Sequence, residues 1–177
     1  LHGLHASGRS PTAWTPQRFA GRDAIPQRGW DSVTVPGCVS AWRVLSEKFG
    51  KLPFGDLFEP AIHYATNGYL VSPTIARLWA NQAPLLADQP GFREAFMPRG
   101  RAPQAGELFR HPEQARTLTL IAETRGEAFY RGELAERMVA HARANGGALA
   151  MDDLASHRAD WVAPISIDYR GYRVHEI

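Results

Sequence analysis

His2 and His5 stand three residues apart near the start of the chain, a spacing that can bring two imidazoles to one metal ion. A structural zinc takes four ligands, and no glutamate or third ligand sits nearby, so no metal site is predicted here. Cys38 follows Pro36-Gly37 at the head of a predicted helix, where a thiolate would be favoured. Its surroundings match no cysteine-hydrolase pattern, and the residue reads as a small buried thiol. The acidic pairs Glu133/Glu136 and Asp152/Asp153 lie at predicted helix starts, where a carboxylate stabilises the helix dipole. Capping explains them better than acid–base chemistry. Arg99-Gly100-Arg101 lacks the spacing of a phosphate-binding loop. Taken residue by residue, the chain assembles no complete active site, and no cofactor is predicted.

The 177 residues suffice for a domain with a real core. With 44% apolar and 21% charged residues, disorder and fibrous classes are excluded. The apolar runs fall far short of the roughly 20 residues that cross a bilayer, so no membrane span is predicted. A net charge of +2 is too small to argue for nucleic acid, and the aromatics lie on apolar faces rather than among basic residues. One cysteine excludes an internal disulfide. The compartment stays open between periplasmic or secreted and cytoplasmic. Leu1 stands where a methionine would begin a chain, and the last residues stop within a strand pattern. The expectation is therefore a piece of a longer polypeptide, cut at both ends.

The elements that must position any chemistry are mainly helical. Residues 1 to 37 read as a short strand followed by loops. A helix is predicted over Val39–Phe49 with Gly50 as its stop. Pro53 suits the first turn of the next helix, with Leu57, Ala61, Ile62 and Ala65 inward and Asn67-Gly68 as its end. Ser72-Pro73 caps and opens a helix running to about Gln82. Short helices in loops are expected from Ala83 to Pro112. A helix then buries Ala115, Leu118, Ile121 and Ala122. In GEAFYRGELAERMVAHARANGG, a short turn burying Phe129 and Tyr130 leads to a long helix entered at Gly132. Its inward stripe is Leu134, Ala135, Met138, Val139 and Ala142. Asp152 or Asp153 caps a short helix reaching Ser156. PISIDY and YRVHEI alternate in period 2 around Arg170-Gly171, the pattern of a β-hairpin.

Several of these stretches in order resemble the large subunit of gamma-glutamyltranspeptidases. They are TLTLIAETRGEAFYRGELAERMVAHARANGGALAMDDLASHRADW, PISIDYRGYRV, VPGCVSAWRVLSEKFGKLPFGDLFEPAIHYATNGYLVS and SGRSP. The resemblance implies an α/β (α+β) fold, the αββα sandwich of N-terminal-nucleophile hydrolases. This chain would be the largely helical part of a single large subunit, ending in the β-hairpin. It implies a zymogen that cuts itself into two subunits, a heterodimer whose small subunit begins with a nucleophilic threonine. That threonine would lie beyond Ile177, so no catalytic residue is expected here. The implied partners are the small subunit and a small-molecule acyl donor and acceptor, with glutathione-type substrates among them.

The resemblance also implies an arginine, four residues before the early proline, that grips the substrate α-carboxylate. Counting back from Pro11 gives Ser7, and the nearest arginine is Arg9, two residues before the proline. Ser7 and Arg9 are the candidate substrate-binding residues. A charged hydrogen bond contributes about 1.5–3 kcal/mol, so this departure bears on the acyl donor. The SGR-P form also occurs in branches that include cephalosporin-acylase-like amidases, which form the alternative reading. A non-catalytic helical binding module is the rival from another class.

Overall fold

Helical and alternating repeats resolve, in a computed structural model describing residues 1–177, into eight helices and six strands. In chain order these are β1 (Gly3–His5), α1 (Cys38–Phe49), α2 (Glu59–Asn67), β2 (Tyr69–Leu70), α3 (Pro73–Leu86), α4 (Phe92–Phe96), β3 (Leu108–Phe109) and α5 (Pro112–Glu123). After them come α6 (Glu127–Arg131), α7 (Glu133–Ala144), α8 (Met151–Ala155), β4 (Asp160–Val162), β5 (Ile165–Tyr169) and β6 (Tyr172–Glu176). They form two compact units, one from Leu1–Gly55 with Leu120–Ile177 and one from Asp56–Thr119.

The first unit carries the apolar stripes read from the sequence. Leu134, Ala135, Val139 and Ala142 of α7 are buried, together with Val39 of α1, Ala128 and Tyr130 of α6, and Leu154 of α8. The helix period puts these positions on facing stripes, and their burial drives the packing. Phe129, expected inside, is only half-buried, because α6 is short and turns Ala128 and Tyr130 inward. Gly132 stands between α6 and α7 with φ −128°, a conformation any residue adopts. Glycine is needed there for room: a Cβ would lie 3.0 Å from the Ala128 Cα. Close approach, rather than backbone flexibility, is what glycine provides at the α7 entrance.

β1 pairs antiparallel with β4, Gly3 with Val162 and His5 with Asp160. β5 and β6 form the expected hairpin, with Arg170 and Gly171 both at positive φ, as a two-residue turn matching strand twist requires. Ile165, Ile167, Tyr169, Tyr172 and Val174 share one face of it and are all exposed.

The second unit packs Phe58, Val71, Ala83, Phe109 and Ala115. The expected stripe Leu57–Ala65 is corrected. α2 starts only at Glu59, so Leu57 falls in the preceding 3-10 turn and is exposed, as is Ala61, and Phe58 carries the burial. α3 runs to Leu86 rather than Gln82, with Pro84 accommodated in its last turns beside the buried Ala83. β3, paired with β2 through Phe109 and Tyr69, lies in the Ala83–Pro112 stretch where only short helices and loops are predicted. Arg99 and Arg101 both reach Glu107 (2.8 and 2.7 Å). The Arg101 hydrogen bond first, then the Gln104 N–H, holds that carboxyl down to about 2.

Candidate functional site

Two segments of the first unit cross so tightly that glycine is required in each. A Cβ on Gly8 would sit 1.6 Å from the Val35 carbonyl oxygen, and one on Gly37 would sit 1.6 Å from the Ala6 carbonyl oxygen. Both clashes are with backbone, which cannot swing aside. The Val35 N–H donates to the Arg9 carbonyl at 3.0 Å, and the Trp14 N–H to the Pro11 carbonyl at 2.9 Å. The turn S-G-R-S-P is thereby fixed, and Pro11 is fully buried beneath it.

On its open side lies a polar cleft of about 450 Å³. Ser7, Arg9 and Thr12 line one wall, with Asp153, His157, Arg158 and Asp160 opposite. Asp153 fastens the two walls. Its Oδ1 accepts from the Thr12 N–H (2.9 Å) and hydroxyl (2.7 Å), and its Oδ2 from the Ala150 N–H (2.9 Å). Burial alone would raise this carboxyl, but the Thr12 and Ala150 donors outweigh it and hold it below its ordinary value.

Behind the cleft, His157 also borders a smaller cavity of about 190 Å³ with Ser40, Tyr130, Arg43 and Arg131. His157 Nε2 lies 3.0 Å from Ser40 Oγ, and its ring stacks on Tyr130 at 5.3 Å between centroids. The Tyr130 hydroxyl donates to the Pro36 carbonyl (2.8 Å) and accepts from the Ser40 N–H (3.1 Å). Burial lowers the His157 pKa and keeps the ring neutral, against the opposing pull of Asp160 and a backbone hydrogen bond with Gly37. Burial raises the Tyr130 phenol, so it stays a donor. Ser40 has a hydrogen-bonded imidazole, but its hydroxyl is also engaged by the Gly37 carbonyl at 3.0 Å. The cluster ties α1 to α6 and to the residues after α8.

The two candidate substrate residues therefore share one cleft. His2 and His5 part company: His2 packs against Phe49 and Trp161, with ring centroids 5.1 and 6.3 Å away, while His5 faces the cleft. Cys38 is exposed, not buried, because it opens α1 and the next two residues, Val39 and Ser40, turn inward. Of the acidic pairs, Asp153 does more than cap: it binds a loop 141 residues away in sequence. Glu133 reaches Arg137 along α7 at 3.7 Å. Sequence reasoning missed Arg158 and His157, which carry no local motif.

The profile of the family described as Gamma-glutamyltranspeptidase matches residues 1–177. The chain belongs to the gamma-glutamyltranspeptidase family. Among curated members of it, "Glutathione hydrolase-like YwrD proenzyme" of Bacillus subtilis is 44% identical over 173 residues, covering 97% of this chain and 33% of that protein. The crystal structure of cephalosporin acylase from Bacillus halodurans superposes with a TM-score of 0.92 at 45% identity, over 99% of this chain and 34% of that one. That of Helicobacter pylori gamma-glutamyltranspeptidase also gives 0.92, at 26% identity, over 99% of this chain and 52% of that one. The fold is thus that of gamma-glutamyltranspeptidases, N-terminal-nucleophile hydrolases, as the sequence resemblance implies. The chain spans 33%, 26% and 33% of the length of three curated relatives it matches. No helix is long and apolar enough to cross a membrane.

Proposed function

We propose that this chain is part of an amide-bond hydrolase or acyltransferase, supplying a substrate-binding wall while the nucleophile lies beyond Ile177. The observation that carries the reading is the family match along all 177 residues. In this scheme an N-terminal threonine hydroxyl attacks the acyl carbon of a γ-glutamyl or related amide. Its own α-amine takes the hydroxyl proton, and backbone donors hold the oxyanion. The amine half leaves carrying that proton, and water or an amino acid then receives the acyl group. The catalytic partner is a small subunit cut from the same precursor, a reading supported by the proenzyme name of the Bacillus subtilis relative. Ser7 and Arg9 bind substrate: Arg9 lines a polar cleft, and its guanidinium makes no hydrogen bond or ion pair within the chain. Donors of the glutathione type suit such a guanidinium.

A second reading, an acylase-like amidase with a different acyl preference, is favoured by Ser7 standing where an arginine is expected. The likeness to the Bacillus halodurans acylase supports it too.

The test uses the full-length protein. It should appear as two chains on a denaturing gel and release amine from a chromogenic γ-glutamyl anilide or an acyl amide. Replacing the threonine at the cleavage point by alanine should leave one uncut, inactive chain. Spontaneous cleavage of that variant would overturn the scheme.

A further inference from the structure

The β1–β4 ladder ends with His5 opposite Asp160. Carried on in the same register, Ala6 faces Ala159 and Ser7 faces Arg158. In an antiparallel pair, opposed residues project to the same face, and so do alternate residues along each strand. His5, Ser7 and Arg9 should then share a face with Asp160 and Arg158. All five line the one cleft. Exposure keeps the alternation past the last paired residues, with Ser7 and Arg158 exposed and Ala6 and Ala159 half-buried, so the continued register would set Arg158 across from the short side chain of Ser7.

Arg158 and Arg9 differ from the other arginines of this unit's concave surfaces. Arg43 and Arg131 hold Glu127, and Arg125 holds Glu47. The guanidiniums of Arg158 and Arg9 make no hydrogen bond or ion pair, although Asp153 and Asp160 border the same cleft. Asp153 is engaged elsewhere, its two oxygens accepting three donors from Thr12 and Ala150, and it pairs with neither arginine. Two guanidiniums thus face the Asp153 and Asp160 carboxylates with their formal charges in balance, but neither guanidinium fork is occupied. A compact polyanion would crowd Asp160, whereas an extended ligand with separated carboxylates meets one fork at each end. A guanidinium fork pairs a carboxylate in bidentate geometry, which a lysine in its place would not reproduce.

We propose that Arg158 grips a carboxylate of the substrate in the space left by Ser7, while Arg9 takes a second. The cleft then selects acyl donors that carry two carboxylates. This rests on the acyl-transfer reading above and names its substrate class.

Binding to the full-length, processed protein is read by calorimetry with succinate, glutarate and adipate as probes and butyrate as the one-carboxylate control. At least one dicarboxylate should bind more tightly than butyrate. Arg158→Ser should weaken that binding about tenfold or more, the loss of one charged hydrogen-bonded pair, with a much smaller effect on butyrate. Adding Ser7→Arg to Arg158→Ser should restore most of the affinity, because the guanidinium returns to the same face from the neighbouring strand. A merely structural role for Arg158 would not be rescued in this way. Unchanged dicarboxylate binding in Arg158→Ser, or a loss that Ser7→Arg leaves in place, overturns the proposal. A protein that binds dicarboxylates through Arg158 yet turns over no acyl amide would instead count against the proposed function alone.

Discussion

Thr12 and Asp153 are joined twice through one carboxylate oxygen, by the Thr12 backbone N–H at 2.9 Å and its hydroxyl at 2.7 Å. Each donor satisfies the same charge, and Asp153 itself is buried. Removing that charge strands both donors at once. Asp153→Ala should lower the unfolding free energy of the full-length protein by about 2–4 kcal/mol, measured by urea denaturation. The pH dependence has a definite sign. Because the folded carboxyl lies below its ordinary 3.8, its contribution is complete above that value and fades as the pH falls through the folded value. Asp153→Asn should therefore flatten the acid limb of the thermal midpoint below about pH 4. An acid limb identical to that of the parent protein would remove Asp153 from this role.

His157 gives a second pH signature, nearer neutrality. Its folded pKa is depressed below 6.5, chiefly by burial, so the unfolded chain takes up the proton first on acidification. Stability should fall as the pH drops below the ordinary value and level off below the folded one, with a slope of at most about 1.4 kcal/mol per pH unit. His157→Gln keeps a polar group near Ser40 Oγ without a titrating ring. The difference in thermal midpoint between the two proteins should then vary with pH only in that window. A constant difference would show that His157 does not titrate differently on folding.

Close backbone crossing makes a third expectation. Gly8→Ala and Gly37→Ala each press a methyl into a carbonyl oxygen. Each should cost about 3 kcal/mol or more, or abolish soluble expression. Gly55→Ala is the control, since nothing lies within 4 Å of its added Cβ. Similar melting of all three variants would contradict the crossing.

For turnover, Arg9→Ala should raise KM about tenfold or more for donors bearing a free carboxylate, with little change for donors lacking it. Ser7→Arg should improve γ-glutamyl donors. Steady-state kinetics on matched donor pairs decide this. Equal effects on both members of a pair would reduce Arg9 to a surface residue.

What could be read from sequence follows the range of the interaction. α7, with its stripe from Leu134 to Ala142, and the hairpin about Arg170-Gly171 are local patterns, fixed within one element. Ser7 and Arg9 stood out by counting from Pro11, again a local measure. The opposite wall of their cleft did not. Asp153 and Arg158 reach it only through the β1–β4 register and the Thr12 bonds, which join the two ends of the chain. Nothing in M-D-D-L-A-S-H-R marks Arg158 as different from any exposed arginine until the strand opposite is known. The exposure of Cys38 was equally hidden, because it depends on which residue of the first turn faces the core.

The first unit is made from the two ends of the chain, with Asp56–Thr119 lying between them in sequence. During synthesis the middle segment emerges whole, while β1 and the Ser7–Pro11 turn must wait for β4 and α8. The cleft therefore forms only after Asp153, Arg158 and Asp160 have left the ribosome, well after the Ser7–Pro11 turn and the middle segment. Closing so long a loop is entropically costly and slow. Until then β1 remains an unpaired edge, open to wrong partners. A pause or truncation before Asp153 would release a chain with its middle segment complete and no trace of a substrate wall.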